Sequence, residues 1–502
     1  MNIMESLKNR NAFPKGWLCT TLEEILLTLE SGSRPKGGVR DINTGIPSLG
    51  GEHLLYNGKF DFTKIRYIPG EFYKKMARGK IMKNDILVVK DGATTGKASY
   101  VSDCFPFNEA AVNEHVFILR VFKGYTIPGY LSFWMQSIFG QNCVKENFQG
   151  TAQGGINSNF VKKSNFPLPP LAEQRRIVAK IEELFTRLDA GVEILKKVRA
   201  RIKRFRQAVL KAAFEGKLTE EWRKKHKNEI EPSSVLLQRI KEAKKKAANK
   251  KYKEIPLVDT SDLPGLPEGW AYRKLEEITS VLGDGLHGTP VYSETGEYYF
   301  INGNNLSDGS IEIKGNTKRI SVGEYEKYKK TLNEKTIFVS INGTLGNTAF
   351  FNGEKIILGK SACYFNVLDA VNKQYVRYCI TSNRFITYAN KNATGSTIKN
   401  VGLKAMREFE IPLPTTEKEQ SQIVSEIERH FAAADEAEKN VEQSLRQAER
   451  LRQSILKKSF EGRLVPQDPS DEPAEELLRK IKKEREILEA SKKGKKKYKN
   501  AD

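Results

Sequence analysis

The 502-residue chain has few cysteines, and their spacing matches no metal or redox motif. Cys19, Cys104, Cys143, Cys363 and Cys379 form no Cys-x-x-Cys pair, which favours reduced thiols in the cytoplasm. The opening residues, MNIMESLKNRNAFPKGW, contain no apolar segment of the kind found in signal peptides. No run approaches 18 apolar residues, which excludes an evident membrane-spanning helix. These absences predict a soluble, cytoplasmic protein.

Catalytic motifs are also lacking. The segment DGATTGKA (91–98) resembles a phosphate-binding loop, but its glycines enclose three residues instead of four, and Ala98 stands where a Mg²⁺-binding Ser or Thr is needed. No NPP[YFW] motif occurs, and no GxGxG-type loop follows a strand and opens a helix, so we expect no S-adenosylmethionine site in this chain. The five histidines form no HxH or HxxxH pair. We therefore predict neither a catalytic site nor a metal site.

Positive charge is abundant. The 84 Lys and Arg residues exceed the 62 Asp and Glu residues, which leaves a formal net charge of +22. The apolar fraction of 39% is sufficient for folded domains. A strongly basic balance indicates a polyanionic partner, and nucleic acid is favoured over an acidic membrane surface.

The chain repeats itself. LAEQRRIVAKIEELF (171–185) matches EKEQSQIVSEIERHF (417–431) at an offset of 246 residues, and the same offset joins VLKAAFEGKL (209–218) to ILKKSFEGRL (455–464). A constant offset is what a continuous helix requires, since one inserted residue rotates the rest by about 100°. Upstream, PKGW (14–17) answers PEGW (267–270), and the offset drifts through loop-rich segments. Each copy is thus a variable domain followed by a helix of invariant length.

The two helices have narrow apolar seams typical of coiled coils. Apolar residues recur at an average spacing of about 3.5, so each helix needs a partner, and the other copy is the simplest one. Each helix spans about 44 residues, or roughly 66 Å. The seam residues are Ile177, Ile181, Leu184, Leu188, Val192, Leu195, Val198, Ile202, Phe205 and Val209 in the first helix, and Ile423, Ile427, Phe431, Ala434, Ala437, Val441, Leu445, Ala448, Leu451 and Ile455 in the second.

The domains that precede the helices contain short β-branched runs separated by NG, DG and GG turns. The runs DILVVK, HVFILRVF, KTIFVSI and TAFFNGEKIIL predict strands, and segments 128–144 and 372–391 predict one helix each. The predicted divisions are an N-terminal arm (1–13), a first domain (14–170), a first long spacer helix (171–217), a short helix with a basic linker (218–266), a second domain (267–414), a second long spacer helix (415–463), and a short helix with a Lys-rich tail (464–502).

Together these motifs resemble a known family. Two P-x-G-W domains, each followed by PLP … EQ-x-x-IV-x-x-IE-x-x-F and a long helix that ends in FEG[KR]L, are similar to the specificity (S) subunits of type I restriction–modification systems. The resemblance implies an α+β fold, with two pseudo-twofold-related, mixed, β-rich target recognition domains separated by two long helices that pack as an antiparallel coiled coil. It implies a noncatalytic subunit whose two domains each read one half of a bipartite, asymmetric site in double-stranded DNA.

The resemblance also implies partners and cofactors. The helices would set the gap between the half-sites and carry the methyltransferase (M) subunits, two in number, which hold S-adenosylmethionine. Restriction (R) subunits, which use ATP and Mg²⁺, would complete the complex. No cofactor is expected in this chain itself.

Polar turns in the two domains are the candidates for DNA contact. Lys and Arg suit phosphates, whereas Asn, Gln, Ser and Thr suit base edges. The alternative for each is a turn residue that bonds its own backbone. The predicted residues are Ser33, Arg34, Lys36, Lys90, Thr94, Thr95, Lys97, Gln149, Gln153 and Asn157 in the first domain, and His287, Thr289, Asn302, Asn304, Asn305, Asn342, Thr344, Ser396, Thr397 and Lys399 in the second.

A second function remains open at this point. A noncatalytic coiled-coil adaptor could bind nucleic acid through its basic segments without sequence preference. The two hypotheses differ in one measurable property, which is sequence preference in competition binding at physiological salt.

Overall fold

A computed structural model of the chain describes residues 13–150, 154–247, 255–256 and 258–499. The chain divides into two compact units. The first unit contains Met1–Leu195 and Gln443–Asp502, and the second contains Lys196–Glu442. No helix in the described ranges is long and apolar enough to cross a membrane.

The first sequence copy begins with a small β-rich domain. Its strands are Leu18–Thr20 (β1), Leu26–Ser31 (β2), Ile46–Leu49 (β3), Arg66–Ile68 (β4), Ile86–Val89 (β5), Ala98–Tyr100 (β6), Ala111–Val112 (β7), Val116–Val121 (β8) and Phe166–Leu168 (β9). The helices of the copy are Leu22–Ile25 (α1), Gly70–Lys75 (α2), Pro128–Gln136 (α3), Ile138–Glu146 (α4), Leu171–Phe214 (α5), Glu220–Lys225 (α6) and Ser233–Ala247 (α7).

Two sheets and a strand pair organise this domain. An antiparallel sheet has the order β2-β8-β5-β6, and a smaller one has the order β4-β3-β7 with β3 and β7 parallel. The runs DILVVK and HVFILRVF form β5 and β8, as predicted, and every residue of β5 is buried. Strands β1 and β9 pair with Leu18 opposite Leu168, so the domain begins and ends at the same place.

The second copy repeats this plan. Its strands are Trp270–Lys274 (β10), Thr279–Asp284 (β11), Tyr298–Ile301 (β12), Leu306–Ser307 (β13), Ser310–Ile311 (β14), Arg319–Ile320 (β15), Thr336–Ser340 (β16), Thr348–Phe350 (β17), Ile356–Leu358 (β18), Ala362–Val367 (β19), Ala393–Thr394 (β20), Asn400–Val401 (β21) and Glu410–Pro414 (β22). The helices are Val322–Tyr328 (α8), Lys373–Thr381 (α9), Asn383–Asn392 (α10), Leu403–Glu408 (α11), Glu417–Phe460 (α12) and Ala474–Lys499 (α13). The sheet orders β11-β19-β16-β17 and β15-β12-β18 match those of the first copy, and β10 pairs with β22.

The prediction of one helix over 128–144 and one over 372–391 is wrong, because each segment forms two. Ser137 separates α3 from α4, and Ser382 separates α9 from α10. Both serines have extended backbone angles, and each side-chain oxygen accepts a hydrogen bond from the first turn of the following helix. A serine with this geometry is an N-cap, so it ends one helix and begins the next.

The two long helices each contain 44 residues, as the constant offset predicts. Both end at a glycine with a left-handed backbone, Gly216 (φ 71°) and Gly462 (φ 68°). A Cβ atom on Gly462 would lie 2.2 Å from Pro14 Cγ, and one on Gly216 would lie 2.4 Å from Pro267 Cγ. The FEG ends therefore require glycine twice over, for the C-cap and for the close approach of the proline that begins a domain.

The helices pack antiparallel in both units. In the second unit, Arg206 at the C-terminal end of α5 pairs with Asp435 and with Glu438 (2.7 Å) near the N-terminal end of α12. In the first unit, Arg452 near the C-terminal end of α12 pairs with Asp189 of α5 and stacks on Phe185, 4.0 Å from its centroid. Each arginine is the sequence repeat of the other. The predicted antiparallel coiled coil is thus confirmed within each unit.

One predicted seam residue in each helix is partly exposed. Phe205 and Leu451, which occupy equivalent positions in the repeat, are 44% and 49% exposed. The neighbouring Arg206 and Arg452 form ion pairs with the other long helix. Phe205 also contacts that helix, since its ring centroid lies 6.0 Å from that of His430 on α12.

The EQ dipeptide that begins each long helix is buried. The side chain of Gln174 accepts a hydrogen bond from Ile127 N (2.9 Å), and Gln420 accepts one from Asn372 N (2.8 Å). Glu419 accepts from Arg223 at 2.8 Å, with only 3% of its side chain exposed. Since a buried polar group must be paired, the two glutamine bonds fix each domain to the first turn of the helix that follows it, and the Glu419 bond fixes α6 to the start of α12.

Candidate nucleic-acid interface

Three loops that are distant in sequence meet in the first unit, and we name the place where they meet the rim, which consists of residues 90–92, 115 and 154–156. The turn after β5 is joined to the loop after α4 by two backbone hydrogen bonds, from Ile156 N to Lys90 O (2.6 Å) and from Gly92 N to Gly154 O (3.0 Å). A third bond, from Lys90 N to His115 O (2.9 Å), joins the segment that precedes β8. Residues distant in sequence are therefore held by main-chain atoms, which leaves the side chains free to vary.

The second unit builds an equivalent rim from different residues. Val401 N donates to Ile341 O (2.8 Å), Gly343 N donates to Lys399 O (3.0 Å), and Ile341 N donates to Ser361 O (3.0 Å). These bonds repeat the three of the first unit in the same order. The two rims thus share a backbone plan and differ in the side chains that they present.

A fourth loop, which follows the first strand of the larger sheet, is pressed against each rim. A Cβ atom on Gly32 would lie 1.6 Å from Val112 O, and one on Gly285 would lie 2.3 Å from the carbonyl oxygens of Leu358 and Gly359. Any other residue would collide with the backbone there. Glycine at these positions brings the segments 31–38 and 283–290 to the rims.

A cleft of about 650 Å³ opens at the rim of the first unit. Three of the predicted residues line it, and Asn157 Nδ2 donates to Gln149 Oε1 at 3.3 Å. The Nζ atom of Lys90 lies 5.4 Å from the ring centroid of Phe117. Arg78, which the sequence analysis missed, also lines the cleft and is exposed. Its only sequence signal is a position inside the basic segment KKMARGK.

Arg34 belongs to an ionic network at the edge of the same rim. Its Nε atom lies 3.0 Å from Glu114 Oε2. His115 lies between Glu114 (3.3 Å) and Asp91 (2.5 Å). The charge of Arg34 is thus partly balanced within the protein. Arg78 differs, because none of the described carboxylates forms an ion pair with it.

The remaining predicted residues of the first unit are half-buried or exposed. These are Ser33, Lys36, Thr94, Thr95 and Lys97. Thr95 Oγ1 donates to Gly92 O (2.7 Å), a bond within its own turn, and Lys97 Nζ lies 5.5 Å from the ring centroid of the exposed Tyr56. Gln153 lies outside the described residues.

In the second unit, His287 and Thr289 are exposed on the loop after β11. His287 contacts the carboxylate of Asp284. Tyr364 lies beneath this loop, and its pKa is raised by burial and by the negative charge of Asp284. The loop therefore presents His287 and Thr289, with the carboxylate of Asp284 beside the imidazole.

The predicted asparagines of segment 301–306 have different environments. Asn302 Oδ1 accepts from Ser361 Oγ (2.9 Å), which places it at the rim. Asn305 is buried and donates to Glu312 O (2.9 Å), so its amide is occupied within the fold. Asn304 is exposed. Its side chain is the most accessible of the three to an external partner.

The two remaining loops of the second unit are joined at Asn342, whose Nδ2 atom donates to Asn400 Oδ1 (3.3 Å). Lys399 Nζ donates to Asn390 Oδ1 (2.5 Å) and is otherwise exposed. The other predicted residues here are exposed, namely Thr344, Ser396 and Thr397. The structure thus brings Asn302, Asn342 and Lys399 to the rim of the second unit, whereas Asn305 is buried within the fold.

The side chains at the two rims can donate and accept hydrogen bonds and can neutralise phosphates. Amides and hydroxyls suit base edges, and Arg78, Lys90 and Lys399 suit a polyanion. Across the described ranges, no group of three or more His, Cys, Asp or Glu side chains could hold a metal ion. The arrangement is suited to recognition of nucleic acid.

Comparison with known proteins shows which family the chain matches. The family model of the type I restriction modification DNA specificity domain matches twice, at residues 14–204 and 267–447, which together make up most of the chain. The type I restriction enzyme StySPI specificity subunit of Salmonella potsdam is 26% identical over 97% of this chain and 100% of its own length. The type I restriction enzyme EcoKI specificity subunit of Escherichia coli K12 is 25% identical over 94% of this chain and 96% of its own length.

A solved structure has the same fold. A chain from a study of complex assembly and conformational transition of the type I R-M system aligns with a TM-score of 0.63 and 18% identity. The alignment covers 90% of this chain and 99% of that one.

Proposed function

The chain belongs to the type I restriction–modification DNA specificity family, and from this premise we propose that it selects the DNA target of a type I restriction–modification complex. The observation that carries the proposal is the pair of rims, which share one set of main-chain bonds and differ in their side chains. Each unit reads one half of a bipartite site in double-stranded DNA. Because Lys90 stands where the other rim has Ile341, the two half-sites differ and the site is asymmetric.

We propose a division of labour between this chain and its partners in the cytoplasm. The chain recognises DNA and is not itself the enzyme. Methyltransferase subunits supply S-adenosylmethionine, and restriction subunits supply ATP-driven and Mg²⁺-dependent chemistry. Methylation of a base inside a duplex requires its extrusion, and the specificity subunit assists by holding the flanking DNA.

The proposed number of two methyltransferase subunits is supported by two residues at the same repeat position on the long helices. Phe205 and Leu451 occupy the same repeat position, and both are exposed although they are large and apolar. Because the two positions are equivalent in the repeat, a partner that binds at one of them has a matching site at the other. We propose that each carries one methyltransferase subunit.

Replacement of one of these residues is expected to weaken one methyltransferase site and to spare the other. Phe205→Ser and Leu451→Ser each remove an apolar side chain whose burial contributes about 1.5–3 kcal/mol. Native mass spectrometry of the assembled complex would then show mainly one bound methyltransferase subunit. Ile194→Ser is the matched control, since Ile194 is 61% exposed on α5 but its repeat partner is the polar Asn440. Full occupancy in both single variants would contradict this docking position.

Substitutions in the cleft of the first unit are expected to separate phosphate contacts from base contacts. Lys90→Ala and Arg78→Ala should weaken binding to all duplexes alike and lower the slope of log K against log salt by about 1. Asn157→Ala should instead reduce discrimination at one base pair of one half-site by about 1–3 kcal/mol. The measurement is competition binding of the assembled complex with target and scrambled duplexes at several salt concentrations.

Lys180→Ala provides the control for lost charge, because this lysine pairs with Glu183 on the surface of α5. Its binding should match that of the unmodified chain. A wild-type complex that shows no preference for any duplex at physiological salt would contradict the proposed function and favour a nonspecific nucleic-acid adaptor.

A further inference from the structure

One face of the smaller sheet in the second unit carries a row of aromatic rings. Tyr298 and Phe300 are two residues apart on β12, so their side chains share a face. The ring centroid of Tyr292 lies 6.2 Å from that of Phe300, and Tyr325 of α8 stacks on Tyr298 at 4.0 Å. Together with two nearby lysines, they form what we name the tyrosine face, which consists of Tyr292, Tyr298, Phe300, Lys318, Tyr325 and Lys355.

The tyrosine face is accessible at one end. Tyr292 is 44% exposed, and its neighbour Val291 is 71% exposed. Tyr292 extends the sheet beyond β15 through a bridge to Ile320, so the backbone holds it in place. An exposed ring on a fixed backbone can be covered by a partner with little loss of conformational freedom.

Positive charge lies beside these rings. Lys318 Nζ is 5.7 Å from the centroid of Tyr292, and Lys355 Nζ is 5.7 Å from that of Tyr298. Lys355 is partly balanced by Glu297 at 3.3 Å. Among the residues that the structure describes, no carboxylate forms an ion pair with Lys318. The exposed end of the face therefore combines a ring with an uncompensated cation.

The tyrosine face adjoins the rim of the same unit. A Cβ atom on the rim residue Gly359 would lie 2.3 Å from Asn302 Oδ1 and 2.8 Å from Phe300 Cζ, so the ring of Phe300 reaches the rim. Tyr292 follows the predicted loop residues His287 and Thr289 by only a few positions. A strand of DNA held at the rim could continue onto this face.

At the equivalent place the first unit also carries aromatic rings on a helix, Phe72 and Tyr73 of α2, and Lys80 Nζ lies 4.7 Å from the ring centroid of Tyr73. The strand differs, because β3 carries Ile46 and Ser48 at the positions that correspond to Tyr298 and Phe300. Arg66, opposite Ser48, is paired with Glu52 at 3.1 Å. The two rings on the strand, Tyr298 and Phe300, are thus what distinguishes the second unit at this place.

We propose that the tyrosine face binds unstacked bases of a single DNA strand next to the second half-site. This inference rests on the proposed function, since it assumes that the adjacent rim holds DNA. Aromatic rings stack on the faces of all four bases, and lysines beside them attract the phosphates. A duplex conceals its base faces between neighbouring pairs, so the rings are useful only where a strand has been locally opened.

The test is fluorescence anisotropy of the full chain with a labelled oligo-thymidine of about 15 nucleotides, a length that spans one such site. Tyr292→Ala is expected to weaken binding of this oligonucleotide about tenfold, which is the typical loss for one stacking ring. Lys318→Ala should weaken it and reduce its salt dependence. Tyr292→Phe retains the ring and should bind as the unmodified chain does, and Val291→Ala is the matched surface control.

Equal affinity of Tyr292→Ala and the unmodified chain for the oligonucleotide would overturn the inference. If that variant also lost methyltransferase subunits from the complex, the face would be a protein interface. Failure of the proposed function has a different outcome, because it would appear as absent duplex preference in the unmodified complex whatever the behaviour of Tyr292→Ala.

Discussion

Exchange of residues 14–170 for the corresponding residues of a relative with another target is expected to change one half of the methylated site and to leave the other half unchanged. The physical reason is closure of the domain. Strand β1 begins it and β9 ends it, and the two pair along Leu18–Thr20 and Phe166–Leu168. Both cut points therefore lie side by side, and the exchanged segment brings its own sheets, cleft and rim.

The exchange should preserve the contacts that connect the domain to α5. Trp17 Nε1 donates to Glu173 Oε2 (2.9 Å), and Ile127 N donates to the side chain of Gln174. A donor segment that retains the P-x-G-W motif keeps the first of these bonds. The target would be determined by methylation-sensitive genome sequencing of cells that express the chain with its partner subunits.

The reciprocal exchange of residues 267–414 is the control and should change only the other half-site. A change of both half-sites after a single exchange, or of neither, would contradict the assignment of one half-site to each unit.

Removal of seven residues from both long helices is expected to shorten the gap between the half-sites by about three base pairs. Seven residues of helix span about 10 Å, and a base pair rises about 3.4 Å. The deletions would be centred on Leu195 in α5 and on Glu442 in α12, where each helix passes from one unit to the other. A full heptad is removed because it returns the apolar seam to nearly the same face.

The same sequencing experiment measures the spacer. A matched insertion of seven residues in both helices should lengthen it by a similar amount, and the recognised bases of each half-site should stay the same. A deletion variant that is folded and active with an unchanged spacer would show that the helices do not set the distance.

Helix length and repeat structure could be predicted from the sequence because they are periodic properties. An invariant offset of 246 residues leaves no room for insertions, and the observed helices both have 44 residues. The resemblance to type I specificity subunits, which rests on the same motifs, is confirmed by the match of the family model to both copies. Strands such as Ile86–Val89 were predictable because runs of β-branched and other apolar residues favour strands. All four side chains of this strand are buried.

Other features were beyond reach because they depend on partners distant in the chain. Phe205 fits the apolar spacing of α5, but the ion pairs of Arg206 depend on Asp435 and Glu438 of the other long helix, which no spacing within α5 reveals. Ser137 looks like an ordinary helix residue until its side chain is seen to cap the next helix. The contribution of Arg78 follows from a cleft that no local pattern reveals.

The amino-acid sequence by itself determined the duplication, the helix lengths, the glycine ends and the polar character of the loops, since each depends on local spacing or composition. Only the tertiary structure decided which of those loops meet. Lys90 and Asn157 are far apart in the chain, and they share one cleft because main-chain bonds, such as that from Ile156 to Lys90, can join any pair of residue types. Backbone hydrogen bonds do not depend on the identity of the side chains, so they cannot be read from the sequence. For the same reason, equivalent rims occur in both units with different residues.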